Sequence, residues 1–413
     1  MTTSSRTVFL SDQPGYDPEA IRLSTRRMLE ADGPSLRGKS VFLKPSFVYP
    51  ARPPLNRGVN TQPEVVGGVA AALRDLGARR VWVAEDCLAA PSQAGFLAMG
   101  VLPYMRGLAE PVFLHQEPRR LVSVPEPLVE GEFRMPARLM DADVFISLPK
   151  IKVNMYATVT LSVKNHIGLL LAPDRLKHHH HDLHKKIADL YRTRLPDFVI
   201  SDAIMAGEGQ GPMHADPVPL NLLLGARSGL AADVVAARLM GYAPEEVEHL
   251  RFLSDQGLGP GSAEEVELEG APLLEARARP FKRPRTDLGD FPSSLRFFVG
   301  SELACPAGCL GMIRGSLDRF WQAGRWGPVE GLSFLVGKPI EDLPADLDPG
   351  RTFVVGDCAE PHRDRGIFLP GCSAAPMAIT WALARRGVIR PLKTRLRDLA
   401  FGMACDYLGL PLR

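Results

Sequence analysis

Short apolar runs alternate with amphipathic stretches along most of the chain, and the runs tend to end at glycine, proline or a charged residue. That alternation predicts βα repeats, hence an α/β fold with a mainly parallel sheet and flanking helices. Ser40–Lys44 (S-V-F-L-K) reads as a buried strand after a turn at Gly38. Arg80–Ala84 and Val144–Leu148 read as strands that run into Glu85-Asp86 and Pro149-Lys150, and Phe198–Ser201 as one that ends at Asp202. Between them, Pro63 opens a helical pattern through Val65, Val66, Val69, Ala72 and Leu73 that Gly77 closes. Further on, Leu230–Met240 is predicted as a helix stopped by Gly241, Pro244–Leu253 as a second, and Thr352–Val355 as a strand leading to Cys358.

At 413 residues the chain exceeds one ordinary core. The expected division is an α/β body over 1–275 with a lysine-lined cleft, a basic proline-containing linker or excursion over 276–292, and a C-terminal α/β unit over 293–413 that carries four cysteines. The stretch Ala276–Asp287 is basic but has Phe281 as its one aromatic, so a linker is preferred to a nucleic-acid contact. With 45% hydrophobic and 23% charged residues the composition is that of a folded globular protein, and a formal charge of +2 argues against bulk nucleic-acid or anionic-membrane binding. Met1–Thr7 lacks the apolar run of a secretory signal, and no window reaches the roughly 20 apolar residues of a membrane span. The expected compartment is therefore the cytoplasm, where thiols stay reduced.

Six cysteines in a chain this long do not suggest a disulfide scaffold. Cys87 and Cys405 stand alone, whereas Cys305-Pro-Ala-Gly-Cys309, Gly356-Asp-Cys358 and Pro370-Gly-Cys372 share a glycine- or proline-bearing setting. Thiolates are soft ligands, and four of them complete an iron–sulfur cubane or a zinc tetrahedron. Flanking glycine and proline free backbone N–H groups to turn toward cluster sulfurs. The expectation is an iron–sulfur cluster, [4Fe–4S] by ligand count, on Cys305, Cys309, Cys358 and Cys372. Zinc is the alternative metal, His362 an alternative ligand, and four small buried hydrophobic cysteines the reading without metal.

Lysines recur at the predicted strand ends: Lys44, Lys150 and Lys152, with Lys164 following in Leu161-Ser-Val-Lys-Asn-His166. Gathered at one sheet edge they make an anion pocket, with Asn165 and the hydroxyls of Thr158, Thr160 and Ser162 as neutral partners. The plain alternative is a set of surface lysines. Asp202-Ala-Ile-Met-Ala-Gly-Glu208-Gly-Gln-Gly-Pro212 reads as a glycine-rich loop after a strand, and Glu208, Asp202 and Lys164 are the acid–base candidates. His178–His181 invites a metal reading, because His180 and His184 fall at i, i+4 on a helix. Four successive histidines point all round a helix, however, and a solvated helix start is preferred.

Taken together, Leu43-Lys-Pro-Ser46, Thr61-Gln-Pro-Glu64, Leu148-Pro-Lys-Ile-Lys-Val-Asn154, Leu161-Ser-Val-Lys-Asn-His-Ile-Gly168, Asp202-Ala-Ile, Glu208-Gly-Gln-Gly-Pro212 and Ala232–Gly241 resemble the domain of unknown function 362 family. Its members are often described as iron–sulfur cluster-binding proteins. The resemblance implies a cluster without fixing its nuclearity, and it names no reaction. Ser46 stands where the family usually has asparagine and Asn154 where it often has histidine. Many relatives append a two-cluster ferredoxin module with close Cys-x2-Cys runs, which this chain lacks.

Three functions follow. The first is an iron–sulfur oxidoreductase or lyase whose lysines hold a small carboxylate or phosphate substrate, with electrons from a donor protein and a homodimer left open. The second is an electron-transfer or cluster-maturation protein without its own substrate. The third is a metal-independent racemase or isomerase. No glycine-rich dinucleotide fingerprint follows an early strand, so a tightly bound nicotinamide or flavin is not expected.

Overall fold

The computed structural model describes residues 6–48, 57–87, 92–179, 181–322, 327–374 and 378–385. The chain divides into two compact units: residues 1–175 with 182–283, and residues 176–181 with 284–413.

The first unit is built on one large sheet. Its strands are β1 (Thr7–Asp12), β2 (Ser40–Pro45), β3 (Arg80–Glu85), β4 (Glu110–Phe113), β7 (Val144–Leu148), β8 (Lys150–Asn154), β9 (Thr158–Thr160), β10 (Phe198–Gln210), β11 (His214–Ala226) and β12 (Glu267–Glu269), while β5 (Arg119–Ser123) and β6 (Glu132–Pro136) form a separate hairpin. The order is β12-β1-β11-β10-β7-β2-β3-β4, and β10, β7, β2, β3 and β4 run parallel. Side chains along a strand alternate between faces, and the core follows that alternation. Val8, Phe42, Phe145 and Val199 join the helices Leu183–Arg192, Gly229–Leu239 and Glu248–Asp255 on one side. Phe9, Val41, Leu43, Val144, Ile146 and Phe198 meet the helices Pro18–Asp32 and Pro63–Asp75 on the other. Strands buried on both faces explain why the predicted runs are continuously apolar.

Two expectations are overturned. The stretch Asp202–Gln210 is strand, not loop: β10 continues through it, paired antiparallel with β11 from Val199↔Ala226 to Gln210↔His214, with an irregularity between Ala203 and Met205. Glycine-rich composition points to a loop only when no partner strand supplies the backbone hydrogen bonds, and β11 supplies them. The histidine run is broken as well. One helix ends at His178 and the next begins at Leu183, with His181 and Asp182 in the left-handed region at φ 35° and 50°. The pairing of His180 with His184 falls on His180, which, like Cys405, lies outside the described residues.

The basic segment does pack. Phe281 is buried and its N–H donates to Met240 O (2.9 Å), while Gly209 N–H donates to Lys282 O (2.8 Å). From Pro284 onward the chain belongs to the second unit, where buried Arg314 donates to Asp287 O (2.9 Å) and pairs with Asp290.

The second unit holds a wholly parallel sheet of β13 (Arg296–Val299), β14 (Ser333–Val336), β15 (Thr352–Val355) and β16 (Ile367–Leu369), in that spatial order. Phe297, Phe334 and Phe353 stack along one face with centroids 5.5 Å apart. Leu335, Val354, Ile340, Leu347 and Ala359 pack on the other. Among the described residues no helix is long and apolar enough to cross a membrane.

One buried carboxyl group holds the site-bearing turn of the first unit. Asp233, on the helix Gly229–Leu239, accepts the N–H groups of Ser162 and Val163 at 2.8 Å each. Burial pushes its acid up to about 8, and the two N–H donors oppose this only partly. An acid that binds its proton more tightly in the folded chain stabilises the fold while protonated. That contribution is complete below the ordinary carboxyl value of about 4 and is lost as pH rises through the folded value. Asp233→Asn should therefore flatten the pH dependence of urea-unfolding stability between about pH 4 and 8. Asp233→Ala should cost about 2–4 kcal/mol by leaving two buried donors unpaired.

Candidate functional site

Two constellations named from the sequence assemble, one in each unit, and both stand at the C-terminal ends of parallel strands. Ligands meet open α/β sheets at that edge.

In the first unit Lys44 ends β2, Glu85 ends β3, Lys150 and Lys152 follow β7 by opening β8, and Asp202 lies in β10 opposite Lys150 in register. Lys44, Lys150, Lys152, Lys164, Asn165, Asp202 and Glu208 are all buried, so the plain reading of surface lysines is set aside. Lys44 Nζ pairs with Glu85 (2.8 Å) and donates to Asn165 Oδ1 and Pro45 O, both at 3.0 Å. A Cβ on Gly168 would lie 2.6 Å from that Nζ and 2.8 Å from Glu85 Oε1, so the turn needs glycine there. Lys150 Nζ pairs with Asp202 (2.9 Å) and donates to Tyr16 Oη (3.0 Å), whose hydroxyl in turn donates to Asp202 (3.2 Å). Asp202 also accepts the Gln62 N–H at 3.0 Å, which leaves it committed as a counter-charge rather than poised as a base.

Lys152 is different. Its Nζ donates to Val59 O, and among the described residues no carboxylate stands within ion-pair distance of it. Burial pulls Lys44 and Lys150 down from the usual lysine range, with Glu85 and Asp202 opposing. For Lys152 burial acts first, the charges of Lys150 and Lys164 add to it, and the amine falls well below its ordinary value. Lys164, pulled down to about 8 by burial and then by Arg175, lies in the same electrostatic neighbourhood. Arg175 is itself buried and donates to Asp86 O (3.1 Å) and Leu170 O (3.0 Å).

Glu208 does not face this cluster in its hydrogen bonding. It accepts the Lys282 backbone N–H (3.0 Å) and pairs with Lys282 Nζ (3.3 Å), tying β10 to the basic segment. Buried His166 is likewise structural. It contacts the Arg194 carbonyl (3.0 Å), packs edge-on to Phe145 and Tyr191, and is held near 4 by burial, so it is neutral at ordinary pH. Sequence reasoning missed the roles of Tyr16, Asp86, Arg175 and Asp233. Glu85 and Asp86 carried a signal, two carboxylates at a strand end beside lysine-bearing ends, whereas Tyr16 and Arg175 carried none.

In the second unit Cys305 and Cys309 follow β13, Cys358 follows β15 and Cys372 follows β16. All four line one cavity of about 40 Å³, together with Leu303, Val336 and Val355 and the backbone of Gly337, Gly356 and Gly371. Cys309 is buried, Cys358 half-buried, Cys305 and Cys372 exposed. His362 is not part of the lining. A Cβ on Gly356 would come within 2.7 Å of Cys309 Sγ, and one on Gly308 within 3.0 Å of Cys305 Sγ, so glycine keeps these approaches open. Asp357 and Gly371 lock the two later loops together, Gly371 N–H donating to Asp357 Oδ1 (2.6 Å) and Asp357 N–H to Gly371 O (3.2 Å). The segment 176–181 belongs to this unit, and His181 N–H donates to Cys372 O at 2.6 Å.

Burial, then the neighbouring Cys305, Cys372 and Cys358, pushes the Cys309 thiol up to about 11, against a backbone N–H from Ala374. Burial, then Cys358 and Cys305, likewise raises Cys372. Each thiol opposes ionisation of the others, so a cationic centre is what would let all four ionise. Four thiolates around one zinc at about 2.3 Å would stand roughly 3.8 Å apart. Among the described residues no group of three or more His, Cys, Asp and Glu is drawn together to hold a single ion.

The model of a family described as a domain of unknown function, DUF362, matches residues 41–238. A thylakoid-associated protein of Synechocystis sp. is 30% identical over 272 residues, covering 63% of this chain and 82% of that one. Among solved structures, a Thermotoga maritima protein gives a TM-score of 0.35 at 12% identity, over 54% of this chain and 59% of that one. The lactate racemase apoprotein of Thermoanaerobacterium thermosaccharolyticum gives 0.34 at 10% identity, over 57% of each. The chain thus spans less than two thirds of either solved protein.

Breaking the Lys150–Asp202 pair should be costly. Lys150→Met strands a buried carboxylate and should lower stability by about 3–5 kcal/mol, whereas adding Asp202→Leu in the same chain should recover at least half of that loss. Guanidinium unfolding of the two single variants and the double variant measures the difference.

Proposed function

We propose, on the premise that this chain belongs to the domain of unknown function 362 family and that the family's name carries no reaction, that it is an iron–sulfur protein acting on a small anion. The single observation that carries the cluster is convergence: four cysteines from three strand-end loops line one cavity. The donor set fits the group. Four soft thiols, glycine approaches and nearby backbone N–H donors suit a multi-atom cluster. Cys305, Cys309, Cys358 and Cys372 would hold the cluster. When bound it would supply a one-electron couple, or a Lewis-acidic iron if one position stayed open.

The chain's own residues do the rest. The Ala374 N–H directed at Cys309 stabilises its thiolate, and Gly356 keeps that sulfur accessible. In the first unit Lys152 presents a buried cationic site with no carboxylate partner among the described residues, and a substrate carboxylate or phosphate supplies the counter-charge. Lys44 and Lys150 are held in place by their own carboxylates and fix the shape around it. Glu208, bound to Lys282, is not the acid–base group of this reading. An electron carrier without a substrate would have no use for an uncompensated buried lysine, which favours the enzyme.

Anaerobically purified or reconstituted full-length protein should contain iron and acid-labile sulfide and show a broad charge-transfer absorption in the visible. Cys358→Ser and Cys372→Ser should each lose most of that absorption at unchanged far-ultraviolet circular dichroism. Full iron and sulfide in both variants would discard the ligand set. Phosphate or a small carboxylate should raise the thermal midpoint of the wild type by a few degrees, and Lys152→Met should abolish the rise at the same cluster content.

A further inference from the structure

Lys150 and Lys152 lie two residues apart on β8, so their side chains leave the same face of the strand. Both are fully buried, yet they are provided for differently. Lys150 has Asp202 at 2.9 Å and Tyr16 Oη at 3.0 Å. Lys152 has a backbone carbonyl, that of Val59, and no carboxylate among the described residues. A lysine that is desolvated and set beside another cation gives up its proton more readily than one in water, and the free amine so formed is a nucleophile. Lys44 is excluded from that role by Glu85, as Lys150 is by Asp202.

We propose that Lys152 is a covalent amine site for a small oxo acid, forming an imine between its Nζ and the substrate carbonyl while the surrounding cations attract the substrate carboxylate. This rests on the reading that the first unit takes a small anion, and it narrows that anion to one bearing an aldehyde or ketone. The step balances without an outside oxidant or reductant. The Nζ lone pair forms the C–N bond as the carbonyl π pair moves to oxygen, which takes a proton to give the carbinolamine. The C–O bond then breaks, oxygen leaves as water with a second proton, and nitrogen gives up its protons as the C=N bond forms. Tyr16, hydrogen-bonded to both Lys150 and Asp202 and kept protonated by burial and by Asp202, is placed to share a proton with that network. The amine stands at the C-terminal edge of the parallel strands, where such sheets admit ligands.

The test is reductive trapping on the full-length protein. Wild type is incubated with glyoxylate or pyruvate and then with borohydride, and the adduct is located by peptide mass spectrometry. The expected result is a reduced adduct on Lys152 at tenfold or greater excess over any other lysine, and its loss when lactate, which lacks the carbonyl, replaces pyruvate. Lys152→Arg keeps the positive charge. It should retain the thermal stabilisation by phosphate and lose the adduct. An adduct on Lys164 or spread over surface lysines overturns the assignment. No adduct in a wild type that pyruvate still stabilises overturns the imine and leaves the anion reading standing. No stabilisation by any anion and no adduct removes both. Because the adduct is mapped on the wild type, the outcome does not depend on whether the Arg variant folds.

Discussion

Burying a cation without a counter-charge costs several kcal/mol, and this constraint organises the first unit. Lys44, Lys150, Lys152, Lys164 and Arg175 are all buried there. Carboxylates answer Lys44, Lys150 and Arg175: Glu85 stands 2.8 Å from Lys44, Asp202 2.9 Å from Lys150, and Asp86 3.6 Å from Arg175. Those carboxylates are supplied by β3, the residue after it and β10, so a parallel sheet whose strands end in register is what lets the pairs form. The neighbouring backbone is arranged to leave room: glycine at 168 keeps clear of the Lys44–Glu85 pair, and Asp233 holds the start of the turn that carries Lys164 and Asn165. Such pairs add little net stability over apolar replacements.

The second unit solves a related problem with different atoms. Its four strands are parallel and adjacent in sequence order, so their C-terminal loops stand side by side. Three of those loops carry cysteine, and the fourth contributes Val336 and Gly337 to the cavity. The reciprocal hydrogen bonds between Asp357 and Gly371 fix the spacing of the Cys358 and Cys372 loops, and the stacked rings of Phe297, Phe334 and Phe353 hold the strands beneath them.

How far this is legible in the sequence differs by kind of signal. Strands buried on both faces announce themselves as apolar runs, so Ser40, Arg80, Val144 and Thr352 each mark the first residue of a strand in the sequence and in the fold alike. The residues at strand ends can then be named as candidates, which is why the lysines and cysteines stand out. Pairing is not legible. Lys44 and Glu85 stand 41 positions apart, and Lys150 meets Asp202 only because β8 takes its place beside β10. The extension of β10 through Gly207 and Gly209 reads as loop because its partner strand is what makes it a strand. The adherence of residues 176–181 to the second unit has no local signature at all, since it depends on a contact between His181 and Cys372 made across most of two hundred positions.

The two edges leave opposite charge demands. In the first unit the protein answers Lys150 with Asp202 and, two residues later, leaves Lys152 with a neutral carbonyl, so the unmet charge there is positive and calls for an anion or for loss of the proton. In the second unit the unmet demand is negative once the thiols ionise, because Cys305, Cys358 and Cys372 each make the ionisation of Cys309 harder. A site that repels its own charge is unstable as an end in itself, and it becomes favourable when a ligand of the other sign enters. The same fold element, the C-terminal edge of a parallel sheet, thus gathers buried cations in one unit and thiols in the other.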